Sequence, residues 1–164
     1  MPNLAELNEL DRAAFTHVVG PVFEHSPWIA QRTWAQRPFA SAQELHHGLC
    51  ATVQAASSDE QLALIRAHPD LVTRSLLTSE SEGEQASAGL KNISPEEARQ
   101  FQEYNAQYRE RFGFPFVICA RLNKKTAILR AFPERLRNDL EGEIKTALDE
   151  IYKIADLRLQ DLIK

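Results

Sequence analysis

The feature that most restricts what this chain can become is a helix-start signal repeated along it at short intervals. At several of these starts an Asn or Ser stands three residues before a Glu or Gln. One side chain can then accept from the third helical amide while the other reaches back to the cap amide. Asn3 with Glu6 opens a segment carrying Leu7 and Leu10, and Ser41 with Glu44 opens one that runs to about Ala56. Ser58 with Gln61 opens the next, which must end near His68 because Pro69 disfavours helical geometry in the residue before it. Ser26 before Pro27 starts a segment bearing Trp28 and Trp34 that stops before Pro38. Ser94, Pro95 and Glu97 start a helix on which Phe101, Tyr104, Tyr108 and Phe112 recur at helical spacing until Gly113 stops it. From Pro133 onward a long last helix places Leu136, Leu140, Ile144, Leu148, Ile151, Ala155 and Leu162 on one stripe.

Two stretches depart from this pattern. From Asp70 to Gly89 the chain is rich in Ser, Thr and Glu, with few large apolar groups beyond Leu71, Leu76 and Leu77, and reads as a loop leading into a short helix ended by Gly89. The run Phe114-Pro115-Phe116-Val117-Ile118-Cys119-Ala120 is apolar and non-periodic, so it is a buried extended segment or a buried helix start. Composition supports helices throughout: only six glycines occur, and Ala, Leu, Glu, Gln and Arg are plentiful. The expected architecture is all-α, a single compact domain over residues 1–164 of about eight helices with a long C-terminal helix.

Charge and motifs exclude several classes. Nineteen basic against 23 acidic residues give a net charge of −4, which argues against phosphate-backbone binding as the main function. No run approaches the ~18 apolar residues of a spanning helix, and the start of the chain lacks the pattern of a signal peptide, so no membrane association is expected. Cys50 and Cys119, far apart in sequence, suit a reducing compartment. His17, His25, His46 and His47 have no familiar metal-ligand spacing, and there is no glycine-rich phosphate loop, so neither metal nor nucleotide cofactor is expected.

Three features can carry chemistry. His68 stands at a helix end with Pro69 restricting the backbone there, and imidazole is the side chain best suited to move a proton near neutrality. The plainer alternative is a histidine favoured there by the helix dipole. Ser81-x-x-Glu84-Gln85 reads as a capping box with Ser81 as the cap, but Ala86, Ser87, Ala88 and Gly89 leave a face with little bulk. A carboxylate beside a carboxamide there suits urea-like or amide-like groups. Arg158 falls on the apolar stripe of the last helix, so it forms an ion pair with a buried carboxylate, Glu84 among the possibilities, or snorkels to solvent along its stem, or binds a carboxylate in a pocket.

Together, His68-Pro69-Asp70-Leu71, Ser81-x-x-Glu84-Gln85-x-x-Ala88-Gly89-Leu90, Phe112-Gly113-Phe114-Pro115-Phe116-Val117 and Ile154-Ala155-x-Leu157-Arg158-Leu159 resemble the OHCU decarboxylase family. Its substrate is 2-oxo-4-hydroxy-4-carboxy-5-ureidoimidazoline. The resemblance implies a homodimeric all-α enzyme that forms (S)-allantoin in the last step of urate conversion, without a cofactor. It implies that His68 transfers the proton and that Glu84 is the second catalytic group. Pro69, Ser81, Glu82, Gly83 and Gln85 would hold the small ureido-imidazoline, together with Phe116, Val117, Ile118, Cys119, Ala120 and Arg158. The ending Leu162-Ile163-Lys164 differs from a peroxisomal address, so a cytoplasmic location is expected. The competing reading is a helical ureide-binding or interaction module of the same fold without turnover.

Overall fold

In the computed structural model of the chain, residues 1–72 and 78–164 are described; Leu76 and Leu77 lie outside them. Nine α-helices and three 3-10 turns make up the described secondary structure, with no β-strand among the described residues. The helices are α1 (Leu4–Glu9), α2 (Arg12–Val19), α3 (Trp28–Thr33), α4 (Ala42–Ala55), α5 (Ser58–Arg66), α6 (Ser79–Ser87), α7 (Pro95–Phe112), α8 (Lys125–Leu136) and α9 (Leu140–Leu162).

Most boundaries follow the expected caps, and the exceptions have local causes. Asn3–Glu6 and Ser94–Glu97 form reciprocal capping boxes, and the Ser41 hydroxyl accepts from the Glu44 amide. The α5 box is Ser57 with Glu60, one residue earlier than read from sequence, because Ser57 is the extended residue and Ser58 already lies in the helix. Asp11 Oδ1 accepts from the Ala14 amide at 2.8 Å, and this second cap separates α1 from α2. Ser26 does not cap α3; its hydroxyl donates to the Glu24 carbonyl at 2.8 Å. The last helix does not begin at Pro133, which lies inside α8. It begins after Asp139, whose carboxylate accepts from the Gly142 amide at 2.7 Å.

The chain divides into two compact units, Met1–Ala67 with Tyr152–Lys164, and His68–Ile151. In the first, Leu7, Phe15, Ile29, Leu45, Leu49, Leu64 and Ile65 are fully buried. The hydroxyls of Thr33 and Thr52, also buried there, lie 2.7 Å apart and satisfy each other. In the second, the core is aromatic. The Phe116 ring stacks on Phe132 at 3.9 Å between centroids, and Tyr108 meets Phe116 edge-on at 5.3 Å. Gly113, left-handed at φ 78°, ends α7 and releases the chain into a buried segment without helix or strand bonds through Cys119. No helix among the described residues is long and apolar enough to cross a membrane.

Candidate active site

The second unit contains all but one of the side chains singled out above. His68 is buried, and the loop behind it is held at three consecutive residues. The Asp70 carboxylate accepts from Arg109 Nε at 3.0 and 3.1 Å, the Leu71 carbonyl from Asn105 Nδ2 at 2.9 Å, and the Val72 amide donates to Gln85 Oε1 at 3.2 Å. Val72 is left-handed at φ 56°, a conformation costing a β-branched residue roughly 1–3 kcal/mol, so these bonds hold the loop against a local preference.

Helix α6 is capped one turn earlier than the sequence reading places it. Thr78 is extended and its hydroxyl accepts from the Ser81 amide at 3.1 Å, which makes Ser81 the third helical residue rather than the cap. Ser81, Glu84, Gln85 and Ala88 therefore share one face at helical spacing; Ser81, Gln85 and Ala88 are buried and Glu84 is half-buried. Glu82 and Gly83 are exposed on the other side, and Glu82 pairs with Lys91 at 3.0 Å. The end of α6 is anchored by Lys124 Nζ on the Ser87 carbonyl at 2.8 Å and the Lys125 amide on the Ala88 carbonyl at 3.0 Å.

Residues 116–120 are buried and, of the two alternatives read from sequence, non-helical up to the 3-10 turn Ala120–Leu122. Without a neighbouring strand among the described residues, their backbone groups need other partners. Arg135 donates to the Val117 carbonyl and through Nε to Glu143, a fully buried carboxylate that also accepts from the Tyr108 hydroxyl and from Asn138 Nδ2. The Cys119 amide donates to Glu150 Oε1 at 3.1 Å. The Cys119 thiol is pushed up chiefly by burial, with the negative charges of Glu150 and Glu84 adding to the shift; both carboxylates thus lie near this segment.

Arg158 belongs to the first unit. Its guanidinium donates to Glu24 Oε2 at 3.0 Å and to the Pro21 carbonyl at 3.3 Å, and both charged side chains are buried. The buried carboxylate that the stripe argument required is thus supplied by Glu24. Sequence reading missed Glu24, Glu143 and Glu150. The last two fall a heptad apart on the buried face of α9, charged groups at apolar-stripe positions just as Arg158 is. Among the described residues no group of three or more His, Cys, Asp or Glu side chains could hold a metal ion.

Residues 8–160 match the OHCU decarboxylase family. The chain belongs to that family. The family's 2-oxo-4-hydroxy-4-carboxy-5-ureidoimidazoline decarboxylase from Halalkalicoccus jeotgali is 44% identical over 157 residues, covering 96% of this chain and 89% of the relative. The protein of the same name from Mus musculus is 41% identical over 165 residues, covering 98% and 93%. A solved structure of (S)-allantoin synthase superposes with a TM-score of 0.81 at 26% identity, covering this whole chain and 54% of that one. An OHCU decarboxylase crystallised in the presence of (S)-allantoin gives 0.69 at 25% identity, covering 82% and 89%. All four strings that carried the resemblance fall inside the matched residues.

Proposed function

We propose that this protein decarboxylates 2-oxo-4-hydroxy-4-carboxy-5-ureidoimidazoline to (S)-allantoin using its own side chains and backbone, without a cofactor. The observation that carries the reading is that, in one unit of a chain of the OHCU decarboxylase family, the loop that follows the buried His68 is tied at Val72 to a polar, small-residue helix face through Gln85. The substrate supplies its own electron sink. When the bond from C4 to its carboxylate breaks, the electron pair forms a C4–C5 double bond, and the former C5–N1 double-bond pair moves to N1, which takes a proton. Loss of the C4 hydroxyl proton and protonation of C5 then give the carbonyl and the stereocentre of allantoin.

Such a path needs a proton carrier, donors for the developing oxyanion and a grip on the ureido group. His68 is the proton carrier, with Pro69 fixing its backbone. Glu84 and Gln85 hold ureido and ring N–H and C=O groups beside Ser81. Gln85 is already engaged with the Val72 amide, so it also ties the His68 loop to α6. Backbone groups of residues 116–120 bind substrate oxygens, a kind of donor worth ~10²- to 10³-fold. Arg158, held by Glu24, supplies charge for a carboxylate. Glu82 and Gly83 contribute as the helical turn that spaces Ser81 from Glu84, since their side positions are exposed and the Glu82 amide donates to the Thr78 carbonyl.

The test is to generate the substrate freshly from urate and follow optical activity. Formation of (S)-allantoin faster than in buffer supports the reading, and racemic product at the uncatalysed rate overturns it. The same reading includes a homodimer in the cytoplasm; light scattering on the purified chain is expected to give twice the monomer mass.

A further inference from the structure

Glu150 is a buried carboxylate for which the proposed chemistry has no use, and it lies where that chemistry needs order. Among the described residues the segment from Phe116 to Ala120 has no strand beside it, so its geometry is set by the side chains that take its backbone groups. Two such clamps sit two residues apart. Arg135, itself fixed by Glu143, holds the Val117 carbonyl, and Glu150 holds the Cys119 amide. Ile118 lies between them, buried, and its N–H meets no acceptor among the described residues. A buried donor of that kind is costly unless something else uses it.

Resting on the decarboxylase reading above, we propose that Glu150 is a positioning residue for the reaction: by accepting from the Cys119 amide it fixes the segment so that the Ile118 N–H is presented to the substrate's C2 carbonyl oxygen, which shares the charge arriving on N1 as CO₂ leaves. The carboxylate need not touch substrate, and an uncharged acceptor of the same shape should serve. Such a donor acts more on the transition state than on the ground state, so its displacement lowers kcat more than it raises KM.

The experiment uses the full chain with freshly generated substrate, comparing Glu150→Gln, which keeps an acceptor, with Glu150→Leu, which does not. Glu150→Gln is expected within about threefold of wild type, and Glu150→Leu at least about tenfold lower in kcat with KM changed by less than about threefold. Both should show the wild-type helical circular dichroism. Equal impairment of the two variants, an unimpaired Glu150→Leu, or a loss confined to KM overturns the proposal. Should Glu150→Leu fail to fold, Glu150→Asp, too short by one methylene to reach the amide, is expected to lower kcat alone, and a wild-type kcat there overturns it. A wild-type chain without turnover overturns the functional reading and this inference together, whereas wild-type turnover beside an unimpaired Glu150→Leu overturns the inference only.

Discussion

Helices α6 and α7 are consecutive in the same unit and bury opposite kinds of side chain. Helix α7 has a capping box, a proline in its first turn and a left-handed glycine at its end, and it buries Phe101, Tyr108 and Phe112. Helix α6 buries a hydroxyl, a carboxamide and one methyl group, from Ser81, Gln85 and Ala88. Apolar burial drives α7 into its core, at roughly 1.5–3 kcal/mol for each large side chain. Nothing comparable drives α6, which is instead tied down by polar bonds to Val72, Lys124 and Lys125. A helix whose inner face is small and polar is what a ligand-binding wall requires, and one whose inner face is aromatic is scaffold.

That contrast predicts different failures on the two sides. The largest effect belongs to the proposed proton carrier: His68→Ala should lose ~10²- to 10⁴-fold in kcat/KM while helical circular dichroism and melting temperature stay near wild type. Retained turnover would remove His68 from the chemistry. Phe101→Ala on α7 should do the reverse, costing about 3–5 kcal/mol in denaturant unfolding while the folded fraction keeps its turnover. Between them stands Gln85→Leu, which frees the Val72 amide; it should cost about 1–3 kcal/mol and also lower turnover, since Gln85 holds the loop and is a proposed substrate-binding group. A change in stability with full activity would make α6 scaffold like α7.

The smaller effects concern titration. Burial, with the charge of Asp156 adding to it, pushes the Cys50 thiol up to about 12, and burial raises Cys119 as well. Neither thiol should react with a disulfide reagent at neutral to mildly basic pH until the chain is unfolded. The smallest effect is at the start of α7, where the Glu97 carboxylate is held below its usual range, first by the Ser94 amide and then by Lys125. A depressed carboxylate contributes stability at pH values above its unfolded pKa and loses it as pH falls through the folded value. The melting temperature of Glu97→Ala should therefore fall below wild type at neutral pH and converge with it on acidification.

Much of the scaffold was legible because its signals are local. The boxes at Asn3 and Ser94, the cap at Ser41 and the stop at Gly113 act within a few residues of themselves, and all four operate in the structure. Errors arose where two local signals compete, as at Ser57 against Ser58 and at Thr78 against Ser81: Ser57 and Thr78 are the extended residues, and Ser58 and Ser81 already lie inside their helices. The same holds for Asp139 against Pro133: proline tolerates a helix's interior when its neighbours continue the turn, and sequence periodicity alone does not register the break.

The site divides along the same line. Sequence by itself determined the all-helical class, the family and the identity of His68, Glu84 and Gln85 as groups of interest, because residue type and order carry those. Tertiary structure decided who holds whom: Glu24 for Arg158, Gln85 for the Val72 amide, and Arg135 and Glu150 for the segment around Ile118. Those partners lie from 13 to 134 residues apart in sequence. The physical reason is that a buried charge or backbone group requires a partner without specifying where in the chain the partner stands, and only the folded packing supplies the answer.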